Sequence, residues 1–198
     1  SRLKHDPVQE FRSSMYLLDD RYPSAIGILA SSFKASISNA ALDLPGSTKS
    51  QIGRLVYVEG DYVPIFGAPK LFMSVVRSAD MNRTPDIRTR AIIPQWACLI
   101  RISFVEPNLK ATSVVNLLSA AGITQGVGDW RPQKGKGSYG QFAIVNSDDP
   151  AFRSIVESGG KEAQHIAIAH PEVYDSETEN LLAWFREEAD RRGLKVAA

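Results

Sequence analysis

The chain has 198 residues, with 23 Lys+Arg against 22 Asp+Glu, 43% hydrophobic residues and a single cysteine. That is enough apolar material for the core of one domain with or without appendages. Cys98 alone excludes an intrachain disulfide and suits a reducing cytoplasm. No apolar run reaches bilayer length and no signal-peptide pattern is present, so no membrane association is expected. The chain opens on Ser1 rather than Met, which leaves room for a leader ahead of it.

The net charge of +1 hides an asymmetry. Residues 1–145 carry 17 Lys+Arg against 11 Asp+Glu, whereas residues 146–198 carry 6 against 11. A basic body of +6 beside an acidic tail of −5 points to a polyanionic partner for the body.

In chain order, residues 1–24 read as irregular or partly helical, and a short apolar run follows at 26–29. Ser31 or Ser32 is placed to cap a helix whose apolar face is Phe33, Ile37, Ala40, Ala41 and Leu44, ended by Pro45-Gly46. Residues 52–58, 62–66 and 71–76 read as strands. Residues 77–94 read as a long hairpin arm or loop, and the alternating stretch 96–104 as a strong strand. Thr112 or Ser113 is expected to cap a second helix with Val114, Leu117, Leu118 and Ala121 facing inward and Gly122 as its C-terminal cap. A glycine-rich loop from 124 to 140 leads to an expected strand at 141–145. A short helix at 151–156 follows. The clearest helix spans 176–192, with Ser176 and Glu179 as a capping box. This order predicts an α+β fold with a ferredoxin-like (RRM-like) core over 1–145, an inserted hairpin arm at 77–94 and a C-terminal helical extension over 146–198.

The most informative stretch runs from Ala121 to Gly140. Its glycines, Gly126 and Gly128 among them, let a backbone approach a ligand closely. Arg131, Lys134 and Lys136 add positive charge. Trp130 and Tyr139 are placed either to stack on bases or to fold back into the core. Residues 135–140 also match G-x-G-x-x-G. A loop precedes the match and a strand is expected after it, so the dinucleotide reading fails. A second basic group is Arg77, Arg83, Arg88, Arg90 and Arg101, against Asp80 and Asp86. Arginine suits phosphate because its planar fork donates two bonds at once. Lys34 lies near the start of the first helix. His5, His165 and His170 are scattered, and no H-E-x-x-H, C-x-x-C or G-x-S-x-G occurs. No cofactor or metal is expected, and no residue is assigned to catalysis. Cys98, with apolar flanks, reads as a small hydrophobe.

Two segments together carry a resemblance. One is Ala30-Ser31-Ser32-Phe33-Lys34, opening a helix that ends in Ala40-Ala41-Leu42. The other is Ala120-Ala121-Gly122 with Gly126-Val127-Gly128-Asp129-Trp130-Arg131-Pro132 and Gly137-Ser138-Tyr139-Gly140-Gln141-Phe142. Over residues 26–145 the chain resembles the RAMP superfamily of CRISPR-associated proteins, above all the backbone subunits that line up along guide RNA, and related phage-borne proteins. The resemblance implies a helix and a glycine-rich loop flanking an RNA path. The expected function is non-catalytic binding of single-stranded nucleic acid, RNA in preference to DNA, by several copies side by side. The rival readings are an endoribonuclease of the same superfamily, using a histidine, and a phage structural or assembly protein.

Overall fold

A computed structural model describes residues 4–77 and 81–194. Asp80, grouped above with the hairpin arginines, lies outside the described residues, as do residues 78 and 79 of the expected arm. The elements are α1 (Pro7–Ser13), β1 (Tyr16–Leu17), β2 (Ile26–Leu29), α2 (Ala30–Ala40), α3 (Lys49–Leu55), β3 (Val56–Val58), β4 (Tyr62–Ile65), β5 (Lys70–Arg77), β6 (Pro85–Ile92), β7 (Ile102–Phe104), α4 (Ala111–Thr124), α5 (Pro150–Ser158), α6 (Lys161–Ala169) and α7 (Ser176–Arg191). The fold is mixed α+β with small sheets. Among the described residues, no helix is long and apolar enough to cross a membrane.

The chain divides into two compact units. The first gathers residues 1–26, 65–97 and 154–198, and the second 27–64 and 98–153. This division differs from the expected boundary at 145/146, because residues 154–198 cluster with the N-terminus and the hairpin. The charge asymmetry dissolves with it. The second unit holds 9 Lys+Arg against 7 Asp+Glu, and the first 14 against 15.

In the first unit β5 and β6 pair antiparallel from Lys70↔Ile92 to Arg77↔Pro85. Alternation puts Leu71 and Met73 on one face, opposite Ala91 and Thr89, and Phe72 and Ser74 on the other, opposite Arg90 and Arg88. The Leu71 face is the core: Phe11 of α1 and Leu182 of α7 pack on it, with Ile87, Val173 and Leu181 at its margin. α7 is therefore an integral wall of this core rather than a free appendage. Hydroxyl side chains close the hairpin's two edges. Thr178 Oγ1 accepts from the Met73 N–H (3.2 Å), and Ser14 Oγ accepts from the Ala91 N–H (2.8 Å). The fully buried Gln164 of α6 ties three strand-end groups together. Its Oε1 accepts from the Ala25 N–H (2.8 Å), and its Nε2 donates to the carbonyls of Ile65 (2.7 Å) and Gly67 (3.0 Å). α6 escaped the sequence reading, because Gln164 is its one buried residue and it shows no apolar stripe.

In the second unit α2 packs on α4 and on α3, and β3 pairs antiparallel with β7. Phe33, Ile37, Ala40, Ile52, Val56, Val58, Val114, Leu117 and Ala121 are buried, as the helical spacing of α2 and α4 predicts. Several local expectations are corrected. Residues 52–55 are helical, because the Thr48 hydroxyl accepts from the Gln51 N–H and starts α3 ahead of the β-rich run. The expected strand at 96–104 is confined to Ile102–Phe104, with one isolated bridge, Phe66↔Ala97. α2 starts at Ala30 without a side-chain cap, its first N–H donating to the Asp61 carbonyl (2.9 Å). α4 starts at Ala111, also without one. Gly122 is buried inside α4 rather than capping it. The helix ends instead at Gln125 and left-handed Gly126, whose N–H reaches back to the Ala121 carbonyl (2.8 Å). The expected strand at 141–145 is irregular. Phe142 N–H donates to the Gly122 carbonyl (3.1 Å) at the end of a helix, so the segment meets no strand ladder. In the first unit, Asp175 rather than Ser176 caps α7, accepting from the Thr178 N–H (2.8 Å).

Candidate nucleic-acid interface

The glycine-rich loop is folded back on itself. The Val127 N–H donates to the Gly140 carbonyl (3.0 Å) and the Tyr139 N–H to the Trp130 carbonyl (3.1 Å), so its two limbs run together like a small hairpin. Two glycines make the approach possible. A Cβ on Gly137 would fall on the Trp130 carbonyl, and one on Gly140 on the Val127 carbonyl. At the base, a Cβ on Gly122 would fall on the Phe142 carbonyl, and Phe142 stacks obliquely on Phe33 with ring centroids 5.8 Å apart. Gln125 adds a tie by donating to Asp43 (3.1 Å). The glycines thus serve close packing of the loop upon itself and upon α4. Gly128 is different: its surroundings are open and its φ is +81°.

Because the interior of the loop is filled by backbone, its large side chains are displaced outward. Trp130 is 52% exposed and Tyr139 44%. Trp130 also holds φ +53°, a left-handed conformation uncommon for a bulky residue. The choice left open by the sequence is settled at this level: Trp130 is a surface side chain, not a core anchor. Lys134 and Lys136 are exposed, with no ion pair among the described residues. Arg131 is half-buried and partly spent inside the loop. Its Nη1 donates to the Gly128 carbonyl (2.7 Å) and its Nε to Gln133 (2.9 Å). It braces the turn that carries Trp130.

Lys34, on α2 of the same unit, has its Nζ 5.8 Å from the centroid of the Tyr57 ring, within cation–π range. The sequence reading missed Tyr57. Its signal was present, since Tyr57 lies between Val56 and Val58, both buried, and alternation on β3 turns it to the opposite, exposed face.

Lys34, Gly126, Gly128, Trp130, Arg131, Lys134, Lys136 and Tyr139 thus belong to the second unit, while Arg77, Arg83, Arg88 and Arg90 belong to the first. Arg88 and Arg90 share a face of β6, as their spacing predicts. Arg77, Arg83 and Arg88 are exposed and Arg90 is half-buried.

An open groove of about 410 Å³ beside β6 is lined by His5, Glu10, Ser13, Ser14, Asp86, Arg88, Thr89 and Arg90. His5 holds Glu10 at Nδ1 and Asp86 at Nε2, both at 2.8 Å. Both ring nitrogens are thus engaged by carboxylates of the same unit. Hydrogen bonds from Lys4 and then His5 hold the Asp86 carboxyl down at about 2. Burial pushes the Cys98 thiol of the second unit up to about 12, which removes the thiolate a nucleophile needs. Among the described residues, no cluster of His, Cys, Asp or Glu is arranged to hold a metal ion.

No protein-family model, no curated protein and no solved structure matches this chain.

Proposed function

We propose that the chain binds single-stranded nucleic acid, RNA in preference to DNA, through the glycine-rich loop, without catalysis, and that several copies do so side by side. The observation that carries this reading is the self-closed loop, which holds two half-exposed aromatic rings and two exposed lysines. Aromatic faces stack on bases of any sequence, and lysines follow the phosphates. Lys34 above Tyr57 extends the same chemistry to a second element of the unit. The preference for RNA, and an RNA path beside the loop, rest on the proposed likeness of the α2 and loop motifs to the RAMP superfamily.

A ferredoxin-like core belongs to this proposal. What supports it is the antiparallel pairing of β3 with β7, with α2 before the pair and α4 after it. A cytoplasmic location is favoured by the single thiol. The non-catalytic reading is supported by His5, with both nitrogens engaged, and by the exposed positions of His165 and His170 outside the groove.

A salt titration of binding to single-stranded oligonucleotides tests the proposal. The logarithm of affinity is expected to fall linearly with the logarithm of salt, by roughly 0.7 per phosphate neutralised. A flat response, or cleavage of the oligonucleotide by homogeneous protein, overturns it.

A further inference from the structure

α7 turns Leu182, Phe185 and Ala189 inward. Its outer face carries Trp184, 53% exposed. Glu177 stands seven residues before Trp184 and Glu187 three after, so the three share one stripe of the helix. Neither Glu177 nor Glu187 has an ion pair among the described residues, whereas Glu188 is committed to Arg191 and Arg192. An indole ring flanked by unpaired carboxylates is an anchor suited to a partner with basic and apolar groups side by side.

The hairpin of the same unit offers that chemistry. Met81 is fully exposed near its tip, Arg83 is exposed two residues on, and exposed Arg88 projects from β6. Arg83 and Arg88 have no ion pair among the described residues. Arg88 pairs with Ser74, on the face of the hairpin opposite Leu71 and Met73. α7 packs on the Leu71 and Met73 face and turns Trp184 away from it. The acidic, aromatic stripe of α7 and the exposed arginines of the hairpin thus lie on different faces of the unit. A contact between chains can bring them together, and such a contact repeats head to tail.

We propose that the α7 face formed by Glu177, Trp184 and Glu187 receives the hairpin of a second copy, with Arg83 and Arg88 on the carboxylates and Met81 against the indole. This deepens the side-by-side arrangement proposed above and rests on it. It does not require nucleic acid.

The test is sedimentation velocity on the full chain, freed of nucleic acid, over a range of protein and salt concentrations. Association that rises with protein and weakens with salt is expected. Arg83→Glu with Arg88→Glu makes the hairpin acidic, and Glu177→Arg with Glu187→Arg makes α7 basic. Each double variant alone is expected to associate at least about tenfold more weakly. Their mixture restores both contacts and is expected to recover association. Trp184→Ala, which touches no charge, is expected to weaken association to a similar degree. Thermal melts check that each variant is folded. A wild-type chain that stays monomeric overturns the proposal, as does association indifferent to both reversals, or a mixture of folded variants that fails to recover. So does a hairpin variant that loses oligonucleotide binding while associating normally, since the arginines would then serve nucleic acid. Loss of association with wild-type oligonucleotide affinity supports the contact and leaves the binding proposal standing. Failure of the loop to bind oligonucleotide leaves the contact standing.

Discussion

The glycine-rich loop and the β5–β6 hairpin are both basic, punctuated segments, and they hold their shape by different means. The hairpin is held from outside: Phe11 and Leu182 cover one face, and the hydroxyls of Thr178 and Ser14 stop its edges. The loop is held from inside, by backbone hydrogen bonds between limbs that only glycine allows to touch. An externally held element loses shape gradually as supports are removed. An internally held one fails at single positions where a side chain has no room. The contrast also decides what each can display, because the loop has no interior left for Trp130 and Tyr139.

The largest effect is expected at Gly137 and Gly140. Gly137→Ala or Gly140→Ala sets a methyl on a backbone carbonyl and is expected to cost about 3 kcal/mol, read in thermal melts. Gly128→Ala meets open space and strains only its left-handed φ, at about 1–2 kcal/mol. Equal losses at the three positions would break the picture of a loop closed from within. On the hairpin, Thr178→Val leaves the buried Met73 N–H without its acceptor and is expected to cost about 1–3 kcal/mol. Ser14→Ala, at an edge that water reaches, is expected to cost less.

Trp130 sharpens the comparison, because stability and binding should separate there. Trp130→Gly relieves the left-handed backbone at φ +53° and is expected to leave the melting temperature unchanged or raised. The same change is expected to remove about 1–3 kcal/mol of oligonucleotide binding. A large loss of stability would mean that the exposed ring is not the whole of its role. Lys134→Ala with Lys136→Ala is expected to shift stability by no more than about 0.5 kcal/mol. It should lower the salt slope by roughly 1.4, two phosphate contacts' worth.

The smallest effect concerns acid. The folded-state pKa of Asp86 is depressed to about 2 by Lys4 and His5. Its contribution to stability is therefore complete above the unfolded carboxyl range and is lost as pH falls toward 2. Asp86→Asn is expected to lower the neutral plateau modestly and to flatten part of the acid limb, the two proteins converging as pH falls toward 2. The carboxyl is only partly buried, with about a quarter of its side chain open to solvent, so a modest change is expected.

The loop could be located from the sequence, since Gly126, Trp130, Lys134 and Tyr139 stand out by residue type alone. Its closure could not, because the use of Gly137 depends on a carbonyl seven residues away. α2 and α4 were legible through the spacing of Phe33, Ile37 and Ala40 and of Val114, Leu117 and Ala121. The β-rich run at 52–58 misled because the Thr48 cap acts ahead of it. The expected strand at 141–145 is absent because a strand needs a partner, and Phe142 finds a helix end. Nothing local announces that Thr178 serves Met73 or that residues 154–198 complete the hairpin's core. Those contacts span about half the chain, and residue type carries no address.

Gln164 sets an order of assembly during synthesis. Its amide reaches back to groups on residues 25, 65 and 67. Those groups are made early and await an acceptor and two donations that only a later residue supplies. The second unit has its last segment by residue 153, while the first lacks Gln164, Thr178 and Leu182 until the stretch 164–182 emerges. On a ribosome the middle of this protein can therefore close before its beginning does. Until then α1 alone shields the nascent hairpin, through Phe11 and Ser14, while the Met73 edge and the part of the apolar face that Leu182 covers stay open to pairing with another chain.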